Sequence, residues 1–414
     1  MKNESNNINI ENKKYIITDE TIEVNGHTLH RIQAVCDFAN VHDGDKGGFV
    51  EGEENLSHGG DCWIYDDACV YDDACVSDDA RVSDNAQVYN DAVVCACAEV
   101  SGNAIIDRAT VSGHAQVSDQ AELGGGAEVS DYAKIEDRAK ICCGEVYERA
   151  WVSDDAEVIG KVYGSAMVYG HAVVCDNAEV YGSATVYDYA QIDTASVYGD
   201  ATVCGYAVVR NSSEVCDSAE VSGSAVINDA FVSGNAVIIG NARVERCGVM
   251  EDARVNGKAW VHDGAEISGN AVVCDDAEVT DKAHITDDAC VSENAHVSGS
   301  LVAGRADISG SAMVQTNSSI IDDANVSDEA TVCGGHISGH AIIGGAAIVC
   351  GEVSDNAEVA GMAEVETGAT IKGNAKITAD VTIESDVVID GDTVITFSDE
   401  MAESGMRLHI TAQR

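Results

Sequence analysis

The chain has 414 residues, no proline, 40 glycines and 5% aromatic residues, and its formal net charge is −49. That charge excludes binding to nucleic acid or an anionic membrane by phosphate neutralisation, which needs a basic patch; a protein, especially a basic one, or a second copy of the chain is the partner class left. No run of about 18 apolar residues occurs, and the opening residues lack the apolar stretch of a secretory signal, so a cytoplasmic protein is expected.

Residues 1–20 are polar and Asn-rich and read as a loosely ordered segment. Residues 21–62 read as an N-terminal cap that opens with a hairpin around Asn25-Gly26, a two-residue turn needing φ > 0 at both positions. A repeat protein needs such a cap because an open first coil would pair with other chains.

From Ile64 to Ile395 an apolar residue returns about every sixth position, with a small residue, mostly alanine, two places before it. In the unit Val82-Ser83-Asp84-Asn85-Ala86-Gln87, Val82 and Ala86 point inward, Ser83 and Gln87 point outward, and Asp84-Asn85 turn the corner. Six residues suit one short strand plus a turn, and three such units close a triangular coil of about 18 residues. The spacing predicts about 19 coils at roughly 4.8 Å each, a length near 90 Å. Proline has little place in a chain made of paired strands. Asp is favoured in corners because it tolerates φ > 0, which makes solvated turn chemistry the plain reading of the charge.

This hexad resembles the hexapeptide repeat of left-handed β-helices. The cap residues Gly26, Leu29, Arg31-Ile32, Ala34, Phe38, Gly47-Gly48-Phe49-Val50-Glu51, Asn55-Leu56-Ser57 and Cys62-Trp63-Ile64 resemble the start of YdcK-like β-solenoid proteins of bacteria and phages. The resemblance implies an all-β, single-stranded left-handed β-helix with both ends capped. Transferase labels in that family rest on fold analogy, which is weak evidence of activity.

Shortened repeats test the three-sided geometry. Five-residue units start at Ile106, Ile141, Ile192, Ile227, Val244, Val297, Val332, Ile343 and Ile348, and a four-residue unit at Val158. Counted from Ile64, all except Ile343 fall on one and the same corner of the triangle. The repeat region is thus 63–395. Residues 396–414 read as a C-terminal cap, in which Ser398, Glu400 and Glu403 start a short helix, Gly405 ends it, and Leu408-His409-Ile410 forms a last strand.

Stacking turns outward positions into columns. Tyr147, Tyr163, Tyr181 and Tyr198 occupy one column on four successive coils, and Trp151, Met167, Tyr169 and Tyr187 lie on the next face. An aromatic ladder on an acidic surface is the candidate contact face, although stacked tyrosines also stabilise exposed strands by themselves. The sequence offers no catalytic constellation. His114, His171 and His340 fall in corners and His262, His284 and His296 on outward positions, with no protruding loop to build a pocket. Sixteen cysteines are scattered over all faces without a C-x-x-C pair and read as reduced thiols. Only Cys333 and Cys350 share a column on adjacent coils, and two thiols do not make a zinc site. The acidic corners lack the calcium-binding G-G-x-G-x-D repeat, so neither metal nor cofactor is expected. The leading expectation is a non-enzymatic acidic β-solenoid serving as a structural or protein-interaction module. An acidic mimic of DNA and a hexapeptide acyltransferase are the alternatives.

Overall fold

A computed structural model describes residues 13–396 and 408–411, and among them there are β-strands and one short 3-10 turn but no α-helix. The fold is a parallel β-solenoid of the left-handed class, with about 18 residues per turn over three faces and about 19 turns in all. Two compact units divide it, Met1–Gly199 and Asp200–Arg414.

The first unit opens with strand β1 (Tyr15–Val24) paired antiparallel to β2 (His27–Ala34). Asn25 (φ 52°) and Gly26 (φ 92°) join them, the left-handed pair that a tight hairpin demands. β1 starts inside the segment expected to be loosely ordered: Tyr15 is fully buried and its hydroxyl donates to the Leu56 carbonyl at 2.8 Å, which ties residues 15–20 into the sheet. β3 (Lys46–Val50) then pairs antiparallel with β2 on one edge and parallel with β5 (Cys69–Val70) on the other. It is the adapter between hairpin and solenoid, and it covers the edge of the first coil.

Packing explains the residues of this cap. A β-carbon on Gly47 would lie 2.6 Å from the Trp63 ring, and one on Gly48 would lie 2.4 Å from Ile64, so only glycine lets β3 approach the first coil. Asn55 is fully buried, yet its amide is satisfied: Oδ1 accepts from Glu51 N and Gly52 N, and Nδ2 donates to the carbonyls of Asp72 and Ala74. Arg31 lies 4.1 Å over the Phe49 ring and donates to the carbonyls of Gly47 and Asp66.

The first coil is β4 (Trp63–Ile64), β5 and β6 (Cys75–Val76), and these define faces one, two and three. Each strand pairs in parallel with the strand one coil on, as in Ile64↔Val82, Val70↔Val88 and Val76↔Val94. Val82 and Ala86 are fully buried whereas Ser83 and Gln87 are partly exposed, as the alternation requires. A buried valine contributes about 1.5–3 kcal/mol, and alanine opposite it keeps the core narrow.

The shortened corners all follow face two. In the first unit they lie after Ile106, Ile141, Val158 and Ile192; in the second, after Ile227, Val244, Val297, Val332 and Val349. The last of these corrects the sequence reading. Val349, not Ile348, is the inward residue: Val349 pairs with Val332 and is fully buried, while Ile348 is 41% exposed. The link from Ile343 is then a full hexad, and the four-residue link runs from Val349 to Val353, matching Val158 to Val162. At both four-residue links the chain is drawn tightly onto the next coil. A β-carbon at Gly160 would lie 2.3 Å from the Ala178 carbonyl oxygen, and one at Gly351 would lie 2.5 Å from that of Ala369.

The second unit repeats the same three-faced coil. Its last strand, Leu408–Ile410, pairs with Val381–Ile383, and the short helix expected over 398–403 lies outside the described residues. Cys333 and Cys350 are joined in a disulfide with Cα atoms 4.7 Å apart, which overturns the expectation of thiols throughout. Each follows the inward residue of face two on adjacent coils, so the coil spacing itself brings them into bonding range. The other fourteen cysteines form no disulfide.

Corners account for much of the acid. Asp119 (φ 61°), Asp137 (φ 59°) and Asp154 (φ 57°) hold the left-handed conformation. Each also accepts, through Oδ2, the backbone N–H of the equivalent corner one coil on: Asp137 N at 3.4 Å, Asp154 N at 3.3 Å and Gly170 N at 3.0 Å. In the second unit Asp275 accepts from Glu293 N, and Glu293 from Gly310 N, in the same way. These bonds join the exposed corners of successive coils.

Candidate functional site

The aromatic columns stack as the coil repeat dictates. Tyr147, Tyr163, Tyr181 and Tyr198 follow the inward valines Val146, Val162, Val180 and Val197 of face three, all in the first unit. Their ring centroids are 4.9, 4.8 and 4.9 Å apart and their planes lie within 6° of parallel, which is the spacing of paired strands. Each ring is half-buried against its neighbours. Burial raises the pKa values of the Tyr147 and Tyr163 hydroxyls, helped at Tyr163 by the Glu179 carboxylate, which accepts its hydrogen bond at 3.2 Å.

A second ladder stands across face one. Tyr169 and Tyr187 stack at 5.1 Å, and Trp151 lies 6.4 Å from Tyr169 at a 26° tilt. Trp151 is 36% exposed and its indole N–H donates to Glu136 Oε1 at 2.8 Å. Met167 pairs between Trp151 and Thr185 on the same face and is half-buried. All eight expected contact residues therefore lie within four successive coils of one unit, with face one between two tyrosine columns.

Two features of this surface escaped the column reading. The corner beside the first ladder is glycine on three successive coils, Gly164 (φ 76°), Gly182 (φ 74°) and Gly199 (φ 73°). Bare corners leave a shallow depression lined by Tyr132, Glu148, Arg149 and Ser165 that runs into a second beside Trp151 and Met167. Tyr132 and Tyr189 are 59% and 48% exposed and stack on His114 and His171 at the corners. A Tyr following an Asp at a corner, as in Asp131-Tyr132 and Asp188-Tyr189, is the sequence signal for these exposed rings. Lys134 and Arg149 line these depressions beside Glu136 and Glu148. This face is mixed in charge, unlike the acidic corners.

The histidines divide differently from expectation. His262 is not surface decoration: it is 8% exposed, Trp260 stacks on its ring at 3.9 Å, and its nitrogens lie 2.8 Å from Asp263 Oδ2 and 3.0 Å from Glu278 Oε1. Its neighbour Trp260 is the exposed partner that covers it. Glu278 uses its other oxygen for His296 Nδ1 at 3.2 Å. These contacts tie three coils of the second unit together.

No protein-family model matches the chain, and the search of curated proteins returns no match. No helix among the described residues is long and apolar enough to cross a membrane.

Proposed function

We propose that this chain is a non-enzymatic protein-interaction module whose contact surface is the face of the first unit between the two tyrosine columns. The observation that carries this reading is the coincidence of three properties at one place. Aromatic rings are concentrated there, neighbouring corners are stripped of side chains, and basic side chains stand among acidic ones on a chain of net charge −49. Amphipathic rings held rigid by stacking lose little entropy on contact, which is why tyrosine and tryptophan anchor protein interfaces. The occupant is a partner protein or a second copy. YdcK-like kinship, with a phage-related origin and a cytoplasmic setting, belongs to the same proposal; the kinship rests on the resemblance of the cap residues, among them Gly47, Gly48, Asn55 and Arg31.

The test replaces Tyr147, Tyr163, Tyr181 and Tyr198 by Ser. Circular dichroism is expected to stay unchanged, because the side chains point outward. Self-association by light scattering, or capture of a host partner, is expected to weaken at least tenfold; unchanged association and capture would reject the surface.

A further inference from the structure

Away from the aromatic face, three side chains from separate elements converge where cap meets coil. His27 opens β2, Glu51 follows β3, and Asp72 holds the corner after β5 at φ 55°. His27 Nδ1 lies 3.1 Å from Glu51 Oε1, and Nε2 lies 3.4 Å from Asp72 Oδ1. The other Glu51 oxygen accepts the Asp72 N–H at 2.9 Å. One donor atom from each residue falls within 4.8 Å of the others, and among the described residues this is the one group of histidine, cysteine and carboxylate side chains so arranged.

The imidazole is also held from behind. Tyr71, 2% exposed, packs on it at 5.3 Å between centroids, and Asn25 Nδ2 fixes the Tyr71 hydroxyl at 3.0 Å. Two ligands bound to one ion at about 2.1 Å stand about 3 Å apart, and His27 and Glu51 already have that separation.

We propose that His27, Glu51 and Asp72 form a divalent-cation site that fastens the N-terminal cap to the first coil. One imidazole nitrogen with two carboxylates suits a first-row ion such as Mn²⁺, Fe²⁺ or Zn²⁺ better than Ca²⁺, which takes six to eight oxygens. The ion takes one ring nitrogen and displaces its proton to solvent. The carboxylate facing the other nitrogen swings round to join it, a rotation open to the Glu51 and Asp72 side chains at 38% and 28% exposure. Solvent fills the remaining positions.

Mn²⁺ is the probe, because it prefers oxygen and nitrogen ligands to thiols. Titration followed by the paramagnetic resonance of unbound Mn²⁺ is expected to show one tight site on the full chain. His27→Ala, Glu51→Gln and Asp72→Asn each weaken that site at least tenfold, whereas Asp119→Asn at a corner ladder leaves it intact. Crystals soaked in MnCl₂ show an anomalous-scattering peak beside His27. Asp72→Asn keeps the shape of the corner, so its loss of binding is not a loss of the cap. Equal tight binding in the wild type and both the His27 and Asp72 variants, or no peak beside His27, overturns the proposal and leaves the triad as an ion-paired clasp.

Discussion

Asp154 separates the two jobs that corner acids do. Its backbone sits at φ 57° and its carboxylate accepts the Gly170 N–H at 3.0 Å. Replacement by Ala removes both adaptations: the left-handed conformation costs an ordinary residue about 1–2 kcal/mol, and the lost hydrogen bond about 0.5–1.5 kcal/mol. Together they cost about 1.5–3.5 kcal/mol. Asp154→Gly loses only the hydrogen bond and costs about 1 kcal/mol. Asp154→Asn keeps both the φ tolerance and an acceptor oxygen while removing the charge, so the change is within about 0.5 kcal/mol. A repeat array need not unfold in one step, so the assay is native-state hydrogen exchange of the amides on the neighbouring coils, read as protection factors. The expected order of protection is Asn equal to wild type, then Gly, then Ala. If Asn is as damaging as Ala, the negative charge itself holds the corner, and the turn-chemistry account of the acidity fails.

Four further outcomes follow from the geometry. Gly160→Ala, which drives a β-carbon against the Ala178 carbonyl, destabilises the surrounding coils by about 1–3 kcal/mol, whereas Gly248→Ala, at an outward position opposed only by the end of Met250, is expected to be nearly neutral in thermal melts. Burial pushes the Cys247 thiol up to about 12, and its sulfur contacts the Val261 carbonyl at 3.3 Å, so mass spectrometry after brief iodoacetamide treatment at pH 8 finds it unmodified while exposed Cys36 and Cys97 are labelled. Reducing Cys333–Cys350 frees a link between coils that the backbone ladder already joins; circular dichroism is unchanged and faster exchange is confined to those coils. Without divalent ions, the cap is best protected between about pH 4.5 and 6.5. Glu20, held low by Lys46 and Arg31, and Glu51, held low by His27, contribute stability present above their unfolded values and lost as pH falls through their folded ones. His27, raised by Glu51, contributes fully below its unfolded value and loses that contribution as pH rises through its folded one. Equal exchange of β1–β3 amides from pH 4 to 8 would contradict this.

Period and alternation were enough to derive the three-faced coil, because inward Val and Ala are dictated by a two-residue strand and a two-residue corner. The hairpin at Asn25-Gly26 was legible for the same local reason. The cap's closing contacts were not: Tyr15, Leu56 and Glu53 meet through long-range pairing that no period announces. The register near Ile348 was misread because Ile348 and Val349 are both apolar and strand-forming. Gly351, two places before Val353 as Gly160 is before Val162, carried the missing signal. The tyrosine columns were visible once coils were stacked, but the bare glycine corners beside them acquire meaning only when the corner is seen as part of a surface. His27, Glu51 and Asp72, spaced 24 and 21 residues apart, fit no short ligand motif.

The central claim is that acid serves the corners and that the aromatic face makes the contact. Partner capture from host extract by the wild type, the four-Tyr variant and a variant with Asp119, Asp137, Asp154, Asp275 and Asp328 changed to Asn tests it most directly, at low and at high salt. The account predicts that the Asn variant captures the same partner as the wild type with little salt dependence, while the four-Tyr variant loses it. Capture that survives in the four-Tyr variant, fails in the Asn variant and collapses with salt would contradict the account and favour an acidic mimic of DNA.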